Sequence, residues 1–233
     1  MQISVYPVYT VLERESLPGA AAVVIDTLRM TSVATVALHN GCAGLRAVCD
    51  IEEARVLAAQ TGSLLGGERN ALKIPGFDFG NSPLEFTPEA IGGHRLVMTT
   101  TNGTHAIQSV LGADEVLLGC LLNADAVAKA VAGRERLVIA LAGTACRFSM
   151  EDAVAAGAII SRLGPGCALD DMAIASRTLY EACRKDIQGF LSSALHYRRL
   201  ESLGLLEDLR FCLQEDTVPC VPRMGEDGWF HAS

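Results

Sequence analysis

Four short stretches of this chain carry polar residues of the kinds that bind anions and cations. VVIDTLRM (23–30) ends an apolar run in Asp26 and places Arg29 three residues on. TTTNGT (99–104) ends another run in three threonines and an Asn102-Gly103 turn, with Thr104 opening the next helix. GGER (66–69) and GFDFGNSP (76–83) supply Glu68, Arg69, Asp78, Asn81 and Ser82. FSMED (148–152) puts Glu151 and Asp152 just after Ser149.

Each stretch has an ordinary reading beside a chemical one. Asp26 and Arg29 make either a salt bridge or helix cap, or a cation-holding or acid/base carboxylate beside an oxyanion-gripping guanidinium. TTTNGT is either a capped turn or a nest of backbone N–H groups and hydroxyls for an anion. Glu68-Arg69 and FDFGNSP are either a solvated charge pair and a turn, or one wall of a site. Glu151 and Asp152 either complement the positive end of a helix or include a metal ligand or general base. Taken together, carboxylates, arginines and an N–H nest fit a phosphorylated, multiply anionic small molecule. A divalent cation would bridge carboxylates to phosphate, and the matching reaction is phosphoryl transfer to water.

The elements that must position these residues alternate. Strands are predicted over 2–6, 21–26, 45–49, 63–65, 94–100, 115–119, 136–143 and 209–214. Helices are predicted over 31–38, 51–60 behind an Asp50 cap, 104–111, the stretch after Asn123, 150–163, 170–185 and 187–202. Residues 66–86 read as one long loop pinned by Phe77, Phe79 and Phe86, and the segment around Pro219 and Pro222 as an irregular tail. The β-α alternation predicts an α/β fold, a three-layer α/β/α sandwich on a mostly parallel or mixed sheet, with residues 1–233 in one domain. In such sheets ligands bind beyond the carboxyl ends of the strands, which is where the four stretches fall.

Composition sets limits. The 233 residues carry a net charge of −8, with 50% hydrophobic and only 5% aromatic side chains. No basic cluster suits nucleic acid, no stretch is long and apolar enough for a membrane span, and no signal peptide is visible. Eight cysteines without a CxxC spacing, and scattered histidines, predict reduced thiols in a cytoplasmic protein and no zinc site. No GxGxxG follows an early strand, which argues against a dinucleotide enzyme. A homodimer is compatible with so apolar a chain.

VVIDTLRMT, GGER, GFDFGNSP, TTTNGT and FSMED, in this order and spacing, resemble the 2-phosphosulfolactate phosphatase family along almost the whole chain. The resemblance implies a Mg²⁺-dependent phosphatase. Its substrate would be a phosphorylated sulfonate, 2-phospho-3-sulfolactate, converted to 3-sulfolactate and phosphate on the route to coenzyme M or sulfolactate. The motif positions carried over are Asp26, Arg29, Glu68, Arg69, Asn81, Ser82, Thr101, Asn102, Gly103, Thr104 and Asp152. Their roles are inferred from side-chain chemistry. Asp26, Glu68 and Asp152 are the expected catalytic and Mg²⁺-binding carboxylates, and the others bind substrate, with Arg147 a further cation. The DxDx[TV] motif of haloacid dehalogenase-type phosphatases fails at Leu28 and Met30, so attack by metal-positioned water is expected rather than a phospho-aspartate. The alternative is a non-catalytic anion-binding protein on the same scaffold.

Overall fold

The computed structural model describes residues 1–233. Eleven strands form one sheet: β1 (Gln2–Tyr6), β2 (Ala21–Ile25), β3 (Gly44–Ala47), β4 (Leu64–Arg69), β5 (Leu72–Lys73), β6 (Arg95–Thr99), β7 (Glu115–Gly119), β8 (Arg136–Leu141), β9 (Ala168–Leu169), β10 (Pro222–Met224) and β11 (Phe230–Ala232). Ten helices accompany them: α1 (Met30–His39), α2 (Ile51–Thr61), α3 (Pro88–Ile91), α4 (Gly103–Ser109), α5 (Ala124–Val131), α6 (Met150–Arg162), α7 (Asp171–Cys183), α8 (Ile187–Leu191), α9 (Leu195–Ser202) and α10 (Leu206–Cys212). No helix is long and apolar enough to cross a membrane.

The architecture is the expected three-layer α/β/α arrangement on a mixed sheet. β2 shows why its sequence is an unbroken apolar run: every residue is buried, because both faces are covered. Ala21, Val23 and Ile25 pack toward α5 and α6, while Ala22 and Val24 pack toward α1 and α4. α1 is enclosed along nearly its whole length, from Met30 to Leu38.

The strand order is β5-β4-β6-β3-β11-β10-β7-β2-β8-β1-β9. β4, β6 and β3 form one parallel group, and β7, β2, β8, β1 and β9 another. The β10–β11 hairpin lies between them and pairs antiparallel with β7 on one side and β3 on the other. These reversals make the two groups run in opposite senses along the ladder. In a flat sheet their carboxyl ends would then lie at opposite edges. Adjacent strands rotate by about 20–25°, so the five steps from β6 to β2 accumulate roughly 100–125°. The sheet curls around α1 accordingly, and both carboxyl edges reach one place.

Four expectations are corrected. Residues 66–86 are not one loop: β4 continues through Arg69 and turns into β5, and the rest is pinned by buried Phe77 and by Phe79 packed on Phe86 in a tilted pair with ring centroids 4.7 Å apart. Residues 209–214 are not a strand but the end of α10 and its cap, with Leu209 and Cys212 buried on one face at helical spacing. The tail around Pro222 is not irregular but the hairpin that joins the half-sheets. Residues 187–202 form two helices rather than one, interrupted at Ser192–Ala194.

Phe230 of the hairpin is fully buried opposite Leu45, in the core between the two half-sheets. Phe230→Ala is expected to cost about 3–5 kcal/mol of unfolding free energy in urea titrations. A loss below about 1 kcal/mol would mean that the hairpin does not hold the halves together.

Candidate active site

Knitting of the backbone fixes Asp26 at the end of β2. Its N–H donates to Thr31 Oγ1 at 3.0 Å, and its carbonyl accepts from Thr31 N at 3.0 Å. Ser32 Oγ donates to the Thr27 carbonyl. The Leu28–Arg29 peptide is cis. From the same edge, Asp152 at the start of α6 accepts Thr27 N–H (2.9 Å) on one carboxylate oxygen and Gly143 N–H (3.0 Å) on the other. It thereby clasps the loops after β2 and β8.

A cavity of about 130 Å³ opens here, where the carboxyl ends of β2, β4, β6 and β8 meet. Asp26, Arg29, Glu68, Asn81, Thr101 and Asn102 line it, as does the chain around Asn70–Ala71 and Thr144–Ala145. Six of the sequence-predicted residues are thus brought together.

Each has a definite environment. Glu68 is buried and accepts N–H groups from Thr101 and Ala71, both at 2.7 Å. Arg29 is buried and ion-pairs with Asp208 of α10, while its Nη2 donates to the Ala71 carbonyl at 3.2 Å. Asn81 is buried, and its Oδ1 has no hydrogen-bond partner within the protein. An unsatisfied amide facing a polar cavity is suited to a ligand.

Five predicted residues do not line the cavity. Asp152 is the backbone clasp. Arg69 donates to the carbonyls of Cys49 and Glu68 and to Thr99 Oγ1. Ser82 donates to Asp208 at 2.7 Å, completing an Arg29–Asp208–Ser82 chain. Thr104 is buried and bonded to Thr100. Gly103 allows close approach: a Cβ there would lie 2.5 Å from Asp26 Oδ2, so only glycine lets α4 pack against that carboxylate. The expected N–H nest is partly taken up, because Thr101 N–H serves Glu68 and Thr104 N–H serves Thr100. Asp78 accepts Leu65 N–H, and Ser149 pairs with Thr144 Oγ1 instead of capping α6.

The missed residues come from α9 and α10. His196, Arg199 and Leu200 line the cavity from one face of α9. Their i, i+3, i+4 spacing in LHYRRL was the available signal. Buried Glu151 meets His196 Nδ1 at 2.8 Å. A second cavity of about 440 Å³ adjoins the first, sharing Thr144, Ala145, His196 and Arg199 and adding Arg147 and Phe148.

Two tight turns frame the first cavity. Asn70 and Ala71 (φ 58° and 67°) join β4 to β5, and Ala145 and Cys146 (φ 50° and 57°) follow β8. Only Asp216 among other non-glycine residues has positive φ. A left-handed residue with a Cβ costs about 1–2 kcal/mol, and such strain concentrates at functional sites.

The electrostatics centre on Asp26. Burial pushes its carboxyl up to about 7; the charge of His196 opposes this, and Glu68 and Glu151 add to it. Asp152 is also held well above its ordinary range by burial and by neighbouring Glu151 and Asp26. No three His, Cys, Asp or Glu side chains converge into a ready-made metal cage.

A buried carboxylate, a guanidinium and an unpartnered amide oxygen around one cavity, at the carboxyl edge of an α/β sheet, make a site suited to an anionic small molecule. Residues 8–227 match the 2-phosphosulpholactate phosphatase family. The chain is 42% identical over 230 residues to a probable 2-phosphosulfolactate phosphatase of Caldanaerobacter subterraneus subsp. tengcongensis, covering 96% of this chain and 95% of that protein. It is 42% identical over 223 residues to one of Clostridium acetobutylicum, covering 91% and 92%. The chain belongs to the 2-phosphosulpholactate phosphatase family and is a phosphoric monoester hydrolase.

Asp26 keeps its proton more tightly in the folded state (about 7) than in the unfolded chain (ordinary value 3.8). Its contribution to stability is therefore fully present below about pH 4 and is lost as pH rises to about 7. The loss is of order a few kcal/mol. In EDTA, Asp26→Asn should gain stability over wild type between pH 4 and pH 8 by that amount, read from urea midpoints. A difference that does not change with pH would contradict the buried, uncompensated carboxyl.

Proposed function

We propose that this chain is a Mg²⁺-dependent phosphatase that hydrolyses 2-phospho-3-sulfolactate to 3-sulfolactate and phosphate. The observation that carries the reading is the joining of two cavities. The inner one holds Asp26, Glu68, Arg29 and Asn81, Arg199 lies on the wall that both share, and the outer one brings Arg147. Neither Arg147 nor Arg199 has a carboxylate within ion-pair distance. A phosphate ester with a second strong anion has a place for each end. The family relatives carry names that match this substrate.

The donor set suits Mg²⁺, which takes one or two carboxylates and completes its shell with water and substrate phosphate. Asp26 and Glu68, which line the cavity, would hold it; Asp152, which does not line it, would not. When bound, the ion would neutralise charge on the phosphoryl oxygens and lower the barrier to attack by water. Arg29, fixed by Asp208, presents its charge to the same oxygens without reorganising. The Asn81 side-chain amide donates to the phosphoryl group through Nδ2. Arg147 and Arg199 orient the ester through its sulfonate, so that the phosphoryl group sits over Asp26.

The test is phosphate release from 2-phospho-3-sulfolactate with Mg²⁺ and with EDTA, beside 2-phospholactate. Turnover is expected only with Mg²⁺ and in favour of the sulfonated ester. The Arg147→Ala/Arg199→Ala double variant should raise KM for that ester at least about tenfold, corresponding to about 1.4 kcal/mol of binding, and move 2-phospholactate little. Chelator-insensitive turnover would remove the metal. Equal use of both esters would remove the sulfonate.

A further inference from the structure

The reaction leaves one requirement unassigned. Hydrolysis of an alkyl phosphate expels an alkoxide, a poor leaving group unless it is protonated as the ester bond breaks. His196 lies with Arg199 on the wall shared by the two cavities, between the inner phosphate-handling residues and Arg147 of the outer cavity. Its Nδ1 is 2.8 Å from Glu151 Oε1. Glu151 is almost completely buried, and the His196 side chain retains only 15% exposure. A buried carboxylate on Nδ1 fixes the ring and favours a proton on that nitrogen. It leaves Nε2 as the nitrogen available to a ligand. The position is also the right one: an ester with its phosphoryl group in the inner cavity and its sulfonate in the outer one must pass its bridging oxygen across this wall.

We propose that His196 is the general acid of the reaction and that Glu151 is its positioning residue. This rests on the two-cavity substrate reading above. As the water oxygen forms its bond to phosphorus, the bond from phosphorus to the bridging oxygen breaks, and Nε2 donates its proton to that oxygen. One proton of the water stays on the product phosphate as its hydroxyl, the other leaves to solvent, and the imidazole regains a proton from solvent through the outer cavity. Atoms and charge balance without a further reactant.

The experiment compares 2-phospho-3-sulfolactate with its analogue bearing sulfur in the bridging position. Thiolate is an adequate leaving group without protonation. In His196→Asn, kcat on the oxygen ester should fall by about 10²–10⁴-fold. That loss should exceed the loss on the sulfur ester by at least about 10²-fold. Glu151→Gln, which can still accept from Nδ1 but lacks the charge, should show the same inequality at smaller size and little change in KM. Circular dichroism and Tm establish that both variants fold. Equal losses on the two esters would make His196 a purely structural residue and overturn the proposal. Failure of the wild-type protein to hydrolyse either ester would instead overturn the substrate reading.

Discussion

The structure turns on a carboxyl group that the fold buries without enough compensation. Asp26 sits at the end of a strand covered on both faces, and Glu68 and Glu151 add negative charge around it. Arg29 is close in sequence, but its guanidinium is bound to Asp208 and Ala71. Burying an ionised carboxylate costs several kcal/mol unless an opposite charge accompanies it. The protein keeps the group part-protonated near neutral pH instead, and a cation in the cavity would reverse that. The same balance explains how a chain of net charge −8 can draw in a polyanion: the attraction is local.

Rigidity around Asp26 comes from carboxylates that bind the chain's own N–H, hydroxyl and guanidinium groups. Asp152 ties two strand ends by their backbone N–H groups, and Asp208 links Arg29 to Ser82. Glu68 holds the turns after β4 and β6 while lining the cavity. Strained turns at Ala71 and Ala145 complete the rim. A site held in this way keeps its charges in place with little reorganisation when substrate arrives.

Much of this was legible in the sequence. β1 and β7 were legible to the residue, β1 from alternating burial with Ile3 and Val5 inward and β7 from a short apolar run buried on both faces. Asp26, Arg29, Glu68, Asn81, Thr101 and Asn102 were found because strand ends are where such folds place ligands. Asp152, Arg69, Ser82 and Thr104 were grouped with them because residue type does not reveal whether a polar side chain faces a cavity or binds backbone. His196, Arg199 and Asp208 were missed, and the partner of Glu151 with them, for a related reason: their meaning comes from contacts between segments 45 to 179 positions apart. The 209–214 stretch misled because a short apolar run fits both strand and helix, and the hairpin around Pro222 because its pairing partners lie far back in the chain.

The most direct measurement is calorimetric titration of the protein with Mg²⁺ at pH 6, repeated in buffers of different ionisation enthalpy to count protons. If Asp26 is a buried carboxyl near 7 that binds the ion, wild type should release close to one proton per Mg²⁺, about 0.9 for a group with that value, and Asp26→Asn should release none. Mg²⁺ binding with no proton released by wild type, or with equal release by the variant, would contradict the account.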